Sequence, residues 1–169
     1  MLTKIADYIT KSKIGKQNAA RQKHFLNWNN IKSIALLLES DLTLNKSALD
    51  KFIEETNKHL EIYYVEINSK QASYGDWKCL IKKDKTILGL PKNLFLEEVK
   101  PKNYDLVINI SSSYQSFSAN VVSHINSPFK CGNNNLCGEL DLIIEKKESQ
   151  NLNSYLKEVV KYLEMIKTG

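Results

Sequence analysis

The chain has 169 residues, 42% of them apolar and 25% charged. These are the values of one ordinary globular domain that can bury a core without disulfides or metals. No window approaches the eighteen or so apolar residues of a membrane helix, and no apolar h-region follows the first lysine, so neither a membrane span nor a secretory leader is expected.

The net charge of +5 is unevenly placed: residues 1–38 carry +6 and the remainder −1. A basic amino end on a nearly neutral body attracts phosphates, an anionic lipid face or an acidic partner. The cysteines, Cys79, Cys131 and Cys137, are sparse and odd in number. That suits a reducing cytosol, and a cytoplasmic location is expected.

Residues 1–26 read as helical. Leu2, Ile5, Tyr8 and Ile9 make an apolar stripe that fades after Ile14-Gly15, since glycine weakens a helix by about 1 kcal/mol. Ala19, Ala20 and Phe25 continue as a second helical piece. The plain expectation is a helix packed on the sheet with a solvated lysine face. The functional alternative is a contact element for RNA or the ribosome, a membrane surface or an acidic protein, carried by Lys4, Lys11, Lys13, Lys16, Arg21 and Lys23. Trp28 is expected to pack between this helix and the first strand. The division is a basic helical segment over 1–28 and an α/β domain over 29–169.

Ile31 to Leu38 is the first core strand. Glu39, Ser40 and Asp41 close it, and Ser47 caps a helix whose apolar face is Leu49, Phe52 and Ile53. Leu60 to Ile67 is the second strand, so a first βαβ unit is complete, with a right-handed crossover. Gln71 to Trp77 is a polar connection in which Tyr74 and Trp77 are candidates for an exposed contact surface. Cys79 to Ile81 is a short strand, Lys82-Lys83-Asp84-Lys85 a charged turn, and Leu94 to Val99 a brief helix ending before Pro101.

Tyr104-Asp-Leu-Val-Ile-Asn-Ile-Ser-Ser-Ser113 is the centre of the chain. Its apolar run, broken only by Asn109, suits a strand covered on both faces. Ser111, Ser112 and Ser113 follow, then a helix with Phe117, Val121, Val122 and Ile125. Pro128 to Cys131 is a strand, Gly132 to Asn135 a loop, and Leu140 to Ile144 another strand. From Leu152 the closing helix shows the clearest amphipathic pattern. The fold class is therefore α/β: a three-layer sandwich on a mostly parallel sheet of five or six short strands, with an amino-terminal basic helix.

Ligands of open α/β sheets bind beyond the carboxyl ends of the strands. A small-molecule site is thus expected at Ser111, Ser112 and Ser113 with Gly132 and Asn133. A nucleotide or sugar phosphate is its natural ligand class. The plainer reading of the serines is a helix cap.

Other chemistries lack their signatures. After Leu38 no glycine-rich turn exists to admit a pyrophosphate, and no P-loop or Gly-x-Ser-x-Gly elbow occurs. Ser112, His124 and Asp141 assemble a hydrolase triad only on paper. Cys131 and Cys137 are separated by five residues, wider than the usual zinc pair. No catalytic residue, metal ligand or cofactor is assigned.

Several segments together resemble a family of short uncharacterised bacterial α/β proteins, a domain of unknown function. They are the basic amino-terminal helix, Ile31-Lys-Ser-Ile-Ala-Leu-Leu-Leu38, Lys82-Lys-Asp-Lys85, Gly89-Leu-Pro-Lys-Asn93, Tyr104-Asp-Leu-Val-Ile-Asn-Ile-Ser111, Phe129-Lys-Cys-Gly132 and Tyr162-Leu-Glu-Met-Ile166. The resemblance implies a Rossmann-like sandwich and supplies no catalytic residues. The reading carried forward is a non-catalytic binding protein whose amino-terminal helix meets an anionic or acidic partner.

Overall fold

The first strand, β1 (Ser33–Glu39), sends Ile34, Leu36 and Leu38 into one apolar cluster and Ala35 and Leu37 into another. A strand buried on both faces belongs at the centre of a covered sheet. That is its place in the computed structural model, which describes residues 2–39, 46–66, 69–70, 74–111, 116–135 and 137–167.

Around it stand β2 (His59–Glu66), β3 (Lys78–Ile81), β4 (Leu106–Ile110), β5 (Phe129–Gly132) and β6 (Leu142–Ile143). The order across the sheet is β3-β2-β1-β4-β5-β6, with every pairing parallel. The chain works outward from β1 in one direction, then returns and works outward in the other. The reversal lies between β1 and β4.

Helices cover both faces. On one side are α2 (Lys46–Thr56) and α5 (Leu152–Glu164), which bury Leu49, Phe52, Leu152, Tyr155, Leu156, Val159 and Leu163 against the sheet. Each fully buried leucine or valine there contributes roughly 1.5–3 kcal/mol relative to exposure. On the other side, α3 (Asn93–Val99) and α4 (Ser116–His124) supply Val99, Phe117, Val121 and Val122. The expected three-layer α/β sandwich on a parallel sheet is what forms.

The amino-terminal helix α1 (Leu2–Ala20) packs on α4, outside the sheet-facing core. It runs unbroken through Gly15, which faces open space. It does not continue to residue 26 as a second piece. From Arg21 the chain is drawn across the sheet instead, where the His24 N–H donates to the Pro128 carbonyl at 3.1 Å.

Trp28 does not lie between α1 and β1. It sits in a short 3-10 turn (Trp28–Asn30) that packs with α5. Lys58 Nζ lies 4.4 Å above its ring and donates to the carbonyls of Trp28 and Ile31 at 2.9 and 2.6 Å. Ser47 falls inside the first turn of α2, not ahead of it. The strand expected over Leu140 to Ile144 shortens to two residues, because Asp141 turns inward to receive other groups.

Candidate anionic-partner interface and the strand-end loops

α1 turns an unexpected side to the protein. Among its described residues it buries Ala6, Thr10 and Ile14, a stripe at four-residue spacing. Ile5 and Tyr8, from the apolar stripe expected to face inward, are 43% and 75% exposed. Ile9 is half-buried at the margin. The buried face meets the side of α4 that carries Ser116, whose hydroxyl donates to the Asp7 carboxylate. That contact buries Ile14 fully, yet it takes polar groups in as well. Thr10 and Asn120 are both fully buried, and Thr10 Oγ1, Gln17 Oε1 and both amide atoms of Asn120 find no hydrogen-bond partner among the described residues.

At 100° per residue, the exposed face of α1 has Tyr8, Ser12 and Ala19 along its centre. Lys4 and Lys11 lie on one margin, Ile5 and Lys16 on the other. All three lysines are exposed, and none is in an ion pair among the described residues. Lys13 is half-buried. Its charge, with those of Lys100 and Lys130, adds to the larger effect of burial and lowers the pKa of the His124 imidazole.

Arg21 and Lys23 have a different employment. The Arg21 guanidinium forks onto both oxygens of Asp141 at 2.6 and 2.7 Å, with side chains 8% and 2% exposed. Lys23 Nζ reaches the same carboxylate at 3.0 Å. Burial pushes the Asp141 carboxyl up, but Arg21 and Lys23 outweigh it and hold the group below the usual carboxylate range. Asp141 also accepts the Lys130 N–H at 3.0 Å. The neighbouring Lys130 ammonium is buried, donates to the Val122 and Ser123 carbonyls, and is brought down to about 7 by burial and then by the Arg21 charge. This cluster ties the end of α1 to β5 and β6.

Among the described residues of the strand-end loops, the polar groups of Ser111, Asn133 and Asn134 turn on one another. Asn133 receives the Ser111 N–H at 2.9 Å and donates to the Ser111 carbonyl at 2.5 Å. Asn134 donates to that carbonyl and to the Ser111 hydroxyl at 2.7 and 3.2 Å. Gly132 lies against Asn109, where a Cβ would come 2.1 Å from the carbonyl oxygen. Ser111, Gly132 and Asn133 are therefore brought together; Ser112 and Ser113 lie outside the described residues. Glu39, at the end of β1 beside them, is 2% exposed and accepts from Ser118 Oγ at 2.5 Å. No sequence signal marked this buried carboxyl beyond its position at a strand end.

Other polar groups are engaged elsewhere. Near the amino end of β2, Glu61 accepts from Tyr104, from Lys102 at 2.5 Å and lies 3.2 Å from Lys78. Burial alone would raise its carboxyl, but these three donors bring it down to about 2. Tyr74 and Trp77 stack on each other at 5.3 Å and flank Tyr64, half-buried at the rim of the α5-side core. They border a surface groove of about 470 Å³ beside Lys46, Asp50 and His59. His124 Nδ1 donates to the Asn120 carbonyl at 2.8 Å while Asp141 faces Arg21, so those two are not catalytic partners. Among the described residues, no group of three or more His, Cys, Asp and Glu side chains converges as a metal site, and no helix is long and apolar enough to cross a membrane.

Fold and surface together define a doubly wound α/β protein with a basic helix laid on its outside. The chain belongs to a family of unknown function, DUF6913, whose model matches residues 3–166. No curated protein and no solved structure is similar to it at a significant level.

Proposed function

We propose that this chain is a non-catalytic, Rossmann-like protein of the bacterial cytoplasm that acts by binding, with α1 as the element that meets an anionic or acidic partner. The observation that carries this reading is the outer face of α1, where Lys4, Lys11 and Lys16 are solvent-exposed and unpaired among the described residues. Exposed lysines that neutralise one another's neighbours would be a solvated face; unpaired lysines of one sign on one helix focus a positive potential. Arg21 takes no part, since it is anchored inside. Lys23, 45% exposed beside Asp141, contributes at most a partly neutralised charge.

Removing residues 1–28 is a poor test, because it would also leave Asp141 buried without Arg21 and bare the flank of α4. The better variant is K4Q/K11Q/K16Q in the intact chain, where exposed helix positions change stability by about 0.5 kcal/mol or less. Binding to single-stranded RNA, anionic vesicles and an acidic polypeptide across a salt series is the measurement. Binding of at least one of them is expected, falling steeply with salt and lost in the triple variant. Equal binding by wild type and variant would remove α1 from the account.

A second reading, a nucleotide- or sugar-phosphate-dependent enzyme acting at 111–113 and 132–135, takes its support from the strand-order reversal beside Ser111. Against it stand the buried carboxyl of Glu39 and the asparagine amides already engaged at that reversal. Saturation at a hundred times the dissociation constant would stabilise the fold by about 2.7 kcal/mol. A melting shift with any nucleotide or sugar phosphate would favour this reading over the first.

A further inference from the structure

α1 leaves two of its large apolar side chains outside. An amphipathic helix on a soluble protein ordinarily buries its apolar stripe and exposes its polar one. Here Thr10 and Gln17 go inward with Ala6 and Ile14 and bury polar atoms that find no partner among the described residues, while Ile5 and Tyr8 go outward. The arrangement makes sense where the outer face is itself covered. The cover is specified by charge. Lys4 and Lys11 border the exposed stripe on one side and Lys16 on the other, so the covering surface must be anionic at its rim and apolar beneath.

We propose that α1 lies flat on an anionic lipid surface, with Ile5 and Tyr8 set into the headgroup region and Lys4, Lys11 and Lys16 reaching sideways to lipid phosphates. Tyrosine favours that depth because its ring is apolar and its hydroxyl stays hydrated. Lysine suits the margins because its stem runs along apolar surface while its ammonium stays at the interface. A nucleic-acid backbone would use the lysines and leave Ile5 without a role. The helix is about 28 Å long, so its long axis can rest along the surface while the sheet stays in water. With only one isoleucine and one tyrosine inserted, the association is reversible and salt-sensitive.

This inference rests on the reading of α1 as the binding element, and the test separates the two. Wild type, K4Q/K11Q/K16Q and I5S/Y8S are compared by co-sedimentation with vesicles of equal phosphatidylglycerol and phosphatidylcholine, with phosphatidylcholine alone, and with single-stranded RNA. Circular dichroism and melting confirm that each variant folds. Wild type is expected to bind the anionic vesicles and not the neutral ones. The lysine variant should lose about a hundredfold in vesicle affinity, and I5S/Y8S about tenfold. In a Tyr8→Trp variant, brominated lipids should quench emission beyond the wild-type level. Vesicle binding that I5S/Y8S leaves unchanged overturns insertion and keeps only a charged contact. RNA binding without vesicle binding overturns the lipid partner while sparing the basic helix. Binding of neither at low salt overturns both.

Discussion

At Gly132 the need for glycine is steric. A methyl group there would sit 2.1 Å from the Asn109 carbonyl oxygen, 3.0 Å from its carbon and 3.1 Å from Leu140 Cδ1. Two of those three atoms are backbone of the central strand β4, which cannot swing aside. Gly132→Ala is therefore expected to destabilise by about 1–3 kcal/mol, read as a lowered urea midpoint with an unchanged slope. The sequence showed a glycine followed by three asparagines and suggested a permissive loop. The actual reason is an approach of two strands, which no local pattern announces. Asn109 was visible as an interruption in an apolar run, but its burial toward α4 was not.

Among the elements, α1 is held at its two ends by different forces. Ser116 and Asp7 join it to α4 near its start, while the Arg21–Asp141 fork anchors its exit to β6. Between them the contact with α4 takes in polar atoms that find no partner among the described residues, so the anchor matters. Asp141→Asn leaves a buried guanidinium with no counter-charge, a loss on the order of 3–5 kcal/mol. Amide exchange should quicken first in α1 and the 21–25 segment; uniform acceleration across the sheet would show that the pair does not specifically hold α1. Helix existence was legible in the 1–20 stretch, since few breakers occur there. Its facing was not, because Ile5, Tyr8 and Ile9 outweighed the quieter Ala6-Thr10-Ile14 stripe in any count of apolar side chains. For α5 one stripe dominates, and Leu152, Tyr155, Leu156, Val159 and Leu163 on it are the buried ones.

For the whole molecule, half-buried Glu61 and buried Lys130 set the acid and alkaline limbs of stability. Glu61 has its pKa lowered from 4.5 to about 2 in the fold. Its contribution is present above the unfolded pKa and is lost as pH falls from about 4.5 toward 2. Lys130 is lowered from 10.5 to about 7. Between those values the unfolded chain binds more protons, so this group makes stability rise as pH climbs from about 7 toward 10.5. Urea midpoints across pH should show an acid loss that Glu61→Gln blunts. They should also show an alkaline rise that Lys130→Met flattens, up to the point where the buried tyrosines begin to oppose it. A Lys130→Met curve that keeps the wild-type slope would place the alkaline rise elsewhere.

The class is legible along the chain: short apolar runs of β-branched and leucine residues, spaced by helical periods, leave little but a covered parallel sheet. The charge asymmetry is legible too, because lysine counts do not depend on folding. Which of those charges stay in solvent depends on contacts between distant segments. Arg21 lies in the same basic run as Lys4, Lys11 and Lys16, yet a carboxylate 120 residues away takes it out of solvent. The same holds for the strand-end loops. Serines, glycine and asparagines at those ends promise a site, but whether their hydrogen bonds point outward or at each other depends on two loops meeting. Side-chain chemistry is local and can be read along the chain; satisfaction of that chemistry is a contact between distant segments, and only the fold supplies it.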